Sequence, residues 1–275
     1  MRAYITPGTR RLRPRTDSQT AEGSLHEGGV GILRRLFRSA AAAGFWLLVW
    51  TLAARLVGIE FILPSPLTVW QKLVELSGSL SFWRTTLMSL QRILLGYLAG
   101  AAIGTALAVF CSVSRAADLL IEPVVRIMRA APVASFIILV QLWMRRAAVP
   151  GAMAAMMVVP VVWESLRGAI AQTDPELLEM ARAYRFGMAR TLRLVYIPSV
   201  LPELISACVT AQGLAWKSGV AAEVLCVPPF ALGTMIYHAK QYLDTPALFA
   251  WTTVTVALSI ILEHIFAALM RKIAG

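Results

Sequence analysis

Four ionisable residues sit inside long apolar runs of this 275-residue chain: Glu164 and Arg167 in one run, Lys217 and Glu223 in another. A charge at the centre of a bilayer-crossing helix costs about 2.5–3.5 kcal/mol on insertion scales, so each is a candidate for the path of a polar solute. Glu164 and Arg167 lie three residues apart on one helical face, a spacing that also lets them pair with each other. Lys217 and Glu223 are six apart and point in different directions. Lys217 either lines a passage and favours an anion, or is an interior lysine bonded to carbonyls or, through an unwound turn, to Glu223. Trp216 beside it reads as packing. Enzyme chemistry finds less support. Ser218 follows Lys217, but no Ser/His or Ser/Lys dyad or His/Asp metal cluster falls at matched depth, so no catalytic residue is assigned. "AWKSG" ends like a P-loop, yet Trp216 stands where that loop needs glycine. Cys111, Cys208 and Cys226, and His26, His238 and His264, are too scattered for a disulfide framework or a metal site. No cofactor is expected.

A second kind of chemistry, mechanical rather than covalent, is written between residues 174 and 196. Asp174 can cap a helix and Pro175 suits its first turn. Leu177, Met180, Ala181, Tyr184 and Met188 then share one apolar face, while Glu176, Glu179, Arg182 and Arg185 occupy other faces, with Glu179 and Arg182 spaced to pair. Gly187 can break this helix, and a second short basic helix leads on to Pro198. Such a segment is too short and too charged to cross a bilayer. It lies on the lipid surface, or its apolar face enters a groove on a soluble partner.

The elements that carry these residues are membrane spans. The chain is 58% hydrophobic with a mean hydropathy of +0.68, above the roughly 45–50% apolar content of soluble domains. Spans are expected over about Ala41–Ile59, Thr86–Val113, Leu119–Met144, Val149–Ala171, Ser199–Val224 and Ala247–Leu269, with an amphipathic surface helix at 66–82. The fold class is therefore all-α integral membrane, about six helices, as residues 39–275. Residues 1–38 read as a disordered basic cytoplasmic tail. Eight arginines fall in those 38 residues and others flank the apolar runs, which is the pattern of cytoplasmic basic ends rather than of nucleic-acid binding. The basic N-terminus, the 174–196 loop and Arg271 and Lys272 then share the cytoplasmic side. Gly96, Gly100, Gly104 and Ala108, and again Ala207, Ala211, Ala215 and Gly219, repeat small residues every fourth position, a stripe that lets helices approach closely in lipid.

The stretch 176–202 resembles the "EAA" loop of ABC-transporter permeases of the binding-protein-dependent import type. Glu179 and Ala181 match the first and third positions, and Val195, Tyr196, Ile197 and Pro198 match the closing "I-x-L-P". The usual glycine falls at Arg185, a departure, with Gly187 two residues on as a source of the turn. "LPSPLTVWQKL", "IEPVVRIMRAAPVASFIILVQLW", "AWKSGVAAEV" and "ALGTMIY" are similar to further segments of that family, so the likeness covers roughly residues 60–270.

The resemblance implies a type I ABC-importer-like bundle in a bacterial inner membrane, N- and C-termini cytoplasmic, working as a permease homodimer embedded in lipid. It implies a separate cytoplasmic ABC ATPase docked on Glu176, Glu179, Met180, Ala181, Arg182, Tyr184, Arg185 and Gly187, with a periplasmic or lipid-anchored substrate-binding protein on the other side. Lys72, Glu75, Lys240 and Asp244 are expected on that side. Arg126 and Arg129 become structural or gating candidates. The branch it most resembles carries nitrate, sulfonate, taurine and similar small anions. A neutral or cationic vitamin precursor, a self-contained secondary carrier and an intramembrane enzyme stand as alternatives.

Overall fold

The computed structural model describes residues 41–274, so the expected tail at 1–38 lies outside the described residues. The chain divides into two compact units, Met1–Leu56 and Val57–Gly275. The described part of the first is an apolar helix, α1 (Ala41–Val57), whose Phe45, Trp46, Leu48 and Leu52 are exposed.

The regular elements of the second unit's described residues are helices joined by loops: α2 (Pro66–Ser77), α3 (Leu80–Val113), α4 (Arg115–Ala130), α5 (Val133–Gln141), α6 (Val149–Ala171), α7 (Pro175–Ala183), α8 (Met188–Thr191), α9 (Ile197–Cys226), α10 (Leu232–Gln241) and α11 (Thr245–Ala274). Short polar residues start several of them. Ser65, Ser79 and Ser114 each accept a hydrogen bond from the backbone N–H three residues on, satisfying donors that a helix cannot satisfy itself. The surface helix expected over 66–82 ends at Ser77, because the Ser79 cap begins α3.

Among the described residues four helical segments are long and apolar enough to cross a membrane: Leu80–Val113, Val149–Ala171, Met188–Cys226 and Thr245–Met270; the first expected span, Ala41–Ile59, is described only as the shorter apolar helix Ala41–Val57. The third expected span is corrected. Leu119–Met144 is not one rod but α4 and α5, bent by 106°. Ala131 is extended (φ −80°, ψ 141°) because the following Pro132 disfavours a helical residue before it and has no N–H to give to the ladder. If the bent pair is one span the total is five.

The core is a seam of α3, α6 and α9. A Cβ at Gly96 would stand 2.1 Å from the Gly151 carbonyl oxygen, so the α3 and α6 backbones touch there. One turn on, a Cβ at Gly100 would meet the Ala155 oxygen at 2.7 Å. The α9 stripe, Ala207, Ala211, Ala215 and Gly219, is buried. Both ladders are therefore packing surfaces, where dispersion between close backbones replaces the hydrophobic drive that lipid cannot supply.

The second basic helix expected before Pro198 is not a separate element. α8, a π turn at Leu192–Tyr196 and α9 run on as one 39-residue helix, Met188–Cys226. The Ile197 N–H reaches back five residues to the Leu192 oxygen. A wider turn just ahead of Pro198 relieves the clash between its ring and the carbonyl four residues before it.

Candidate coupling segment and transmembrane charges

α7 is a closed, capped helix. The Asp174 carboxylate accepts from the Glu176 N–H at 2.8 Å. At the other end Phe186 N–H donates to the Ala181 oxygen (2.8 Å) and Arg185 N–H to the Arg182 oxygen (2.9 Å). That pair of bonds is the Schellman closure, which needs a left-handed residue at its penultimate position. Arg185 takes it, with φ 51°. Gly187, expected to supply the turn, is instead extended at φ −66° and precedes α8. The position where the family's pattern has glycine thus keeps its left-handed backbone although an arginine fills it. Arg190 stacks over the Phe186 ring at 5.4 Å and steadies the return of the chain.

Of the predicted coupling residues, only Ala181 is buried; Glu176, Glu179, Met180, Arg182, Tyr184, Arg185 and Gly187 are exposed. The apolar face is uncovered: Leu177 is 39%, Met180 42%, Tyr184 72% and Met188 84% exposed. A cleft of about 300 Å³ opens beside it, between Ala181, Phe186, Leu192 and Tyr196. Glu179 and Arg182, spaced to pair, form no ion pair with each other among the described residues, and both point to solvent.

The mutual pair of Glu164 and Arg167 is also corrected. Both reach across to α4. Glu164 binds Arg129, while Arg167 donates to Asp118 at 2.6 Å and lies 3.8 Å from Glu122, which in turn holds Arg126. Two helices with complementary charges at matching heights offer each side chain a partner in direct line, which neighbours on one helix face do not. Glu164 also borders an open cavity of about 600 Å³ with Gln172, Asp174, Ser199 and Glu203.

Glu223 is wholly buried. Ser89 of α3 donates to its Oε2 (2.9 Å), as does the Gly233 N–H of α10 (3.1 Å), and Arg92 lies 4.0 Å from its Oε1. Ser89 accepts in turn from the Leu232 N–H. Arg92 donates to the Pro229 and Phe230 carbonyls, and Arg84 stacks on the Phe230 ring at 4.0 Å. A Cβ at Gly233 would come within 2.5 Å of the Glu223 Cβ, so the carboxylate clasp depends on that glycine. Sequence reasoning missed Ser89, Arg92 and Gly233. Arg92 was open to the same test as the other charges, since it lies inside the span expected over Thr86–Val113.

Lys217 has none of this. It is exposed on α9 without a hydrogen bond or ion pair among the described residues, and borders a cleft of about 460 Å³ between α9 and α11. Helix α9 is continuous past it, so the unwound turn that would join it to Glu223 does not exist. Lys72, Glu75 and Asp244 do meet: Lys72 stands 3.2 Å from Glu75 and 3.9 Å from Asp244.

An all-α membrane bundle whose longest helices pack through glycine and alanine, with a short amphipathic helix between two spans, fits a transport permease. The chain belongs to the family described as binding-protein-dependent transport system inner membrane component, whose pattern it matches over residues 93–275. It is a permease subunit rather than an enzyme, and the EAA motif is the family's own. It is similar to the taurine transport system permease protein TauC of Escherichia coli (strain K12), 24% identical over 231 residues, 82% of this chain and 83% of TauC. It is equally similar, 24% over 262 residues (94% of this chain, 93% of the relative), to the putative aliphatic sulfonates transport permease protein SsuC of Bacillus subtilis (strain 168). The fold matches that of a solved amino acid ABC transporter chain, with a TM-score of 0.55 at 19% identity, covering 68% of this chain and 90% of that one.

Proposed function

We propose that this chain is the membrane-spanning subunit of an ATP-driven importer for a small anionic solute of the sulfonate or taurine kind. It works as a homodimer in the bacterial inner membrane, both termini cytoplasmic, and takes solute from a periplasmic or lipid-anchored binding protein. A separate cytoplasmic ATPase supplies the energy by docking on α7. The observation that carries this reading is the uncovered apolar face of a capped, closed helix: Leu177, Met180 and Tyr184 are exposed on a segment whose two ends are closed by hydrogen bonds. Glu176, Glu179, Arg182 and Arg185 form a charged rim that sets register while the apolar residues anchor. Because α8 runs unbroken into α9, a push on this segment reaches the bundle core through a stiff rod. Of the four candidate charges, Lys217 has no ion pair among the described residues, and we place it on the solute's route; Glu164, Arg167 and Glu223 have partners on α4, α3 and α10.

The test is co-purification with the co-expressed ATPase. Deleting 176–188, or Glu179→Arg, is expected to abolish ATPase association while the spans still insert, a loss of at least about tenfold in affinity. Undiminished association of both variants would remove α7 from the interface.

A further inference from the structure

The cleft beside Lys217 has a chemistry of its own. Its walls are Val220 and Ala221 of α9 and Val256 and Ile260 of α11, with the Lys217 ammonium as the charge among its lining residues and no carboxylate. The Thr255 hydroxyl is spent on the Trp251 carbonyl (2.9 Å), but the Ser259 hydroxyl forms no hydrogen bond among the described residues. Lys217 lies nine residues from the Cys226 end of α9, about 13 Å at 1.5 Å per residue, inside the apolar segment Met188–Cys226 that is long enough to cross a bilayer. An ammonium held there without a counter-ion is a standing cost that an anion relieves.

We infer that this cleft is a solute-binding subsite for an organic monoanion with an apolar tail, its head on Lys217 and Ser259 and its tail on the Val220, Val256 and Ile260 wall. This rests on the reading of the chain as an anion permease and narrows the solute within it. A small inorganic oxyanion would lose its hydration for one ammonium and one hydroxyl, and its other oxygens would face alkyl groups. A zwitterion such as taurine would bring a second ammonium beside Lys217 with no carboxylate to receive it. An alkyl sulfonate satisfies both ends: the head meets the charge and each methylene is covered. Tail length should therefore matter, by about fourfold in affinity per buried methylene until the wall is filled.

The test uses the full-length chain in nanodiscs, titrated calorimetrically with ethane-, butane- and hexanesulfonate, taurine and sodium nitrate at constant ionic strength. Butanesulfonate is expected to bind at least about tenfold more tightly than taurine or nitrate and to tighten with tail length. Lys217→Met should abolish that binding, Lys217→Arg should keep it within a few-fold, and Ser259→Ala should weaken it several-fold. Lys217→Met removes a charge from the span, so insertion is not at risk, and size-exclusion profiles check it. Wild-type protein giving no saturable heat, equal affinity for butanesulfonate and taurine, or undiminished binding to Lys217→Met would each overturn the assignment. So would a Lys217→Met chain that loses its self-association, since the ammonium would then belong to a subunit contact. No ATPase is present in the titration, so failure here leaves the docking role of α7 standing, and loss of ATPase docking leaves this binding intact.

Discussion

Glu223 and Lys217 stand six residues apart on α9, and hydropathy treats them alike, as one charge each in an apolar run. Their surroundings differ completely. Glu223 receives Ser89, the Gly233 N–H and, at 4.0 Å, the Arg92 guanidinium, and is closed off from solvent. Lys217 receives no hydrogen bond or ion pair among the described residues and opens on a cleft. The contrast separates two uses of a charge in a membrane protein. Where neighbouring helices bring donors to it, the charge ties them together; where none is brought, its desolvation stays uncompensated and is available to a ligand.

The largest effect that could break this contrast is at Glu223. Glu223→Ala is expected to destabilise the bundle by about 3 kcal/mol, because Ser89 and the Gly233 N–H lose their acceptor and Arg92 loses the opposite charge 4.0 Å away, whereas Lys217→Met should leave stability unchanged or raised. Unfolding by detergent titration or thermal shift measures both, and equal losses would erase the distinction. Next comes Gly233→Ala. Its Cβ would lie 2.5 Å from both the Glu223 Cβ and the Val224 nitrogen, so α10 must move off α9 at about 2 kcal/mol; a wild-type unfolding midpoint would show that the clasp yields cheaply. The smallest effect sharpens the comparison at the other end of the molecule. Arg185 holds a left-handed conformation that costs a side chain about 1 kcal/mol relative to glycine. Arg185→Gly should therefore slow hydrogen exchange at the Arg185 and Phe186 amides severalfold, and faster exchange would mean that the arginine side chain secures the turn.

Much of this was legible in the residues. Period and composition placed the apolar segments, and the stripes of small residues at every fourth position identified α3 and α9 as close-packing helices, because helix geometry alone puts such residues on one face. Asp174 and Pro175 announced the start of α7. The misses have physical causes. The 106° break in Leu119–Met144 was signalled by Pro132, yet apolarity on both sides outweighed it. Gly187 was credited with the turn because glycine adopts left-handed backbone most readily, but the closing bonds to Ala181 and Arg182 require that conformation at residue 185.

By itself, the sequence determined which stretches are apolar helices, which faces pack closely and where a short charged helix interrupts them, because these follow from periodicity and transfer energies along a single chain. It could not decide which charge meets which. Glu164 with Arg129, Arg167 with Asp118 and Glu223 with Ser89 are pairings between helices, 35, 49 and 134 residues apart. Partners at such separations depend on crossing angle and relative height, which exist only once α3, α4, α6 and α9 have packed, and the same packing leaves Lys217 without a partner among the described residues.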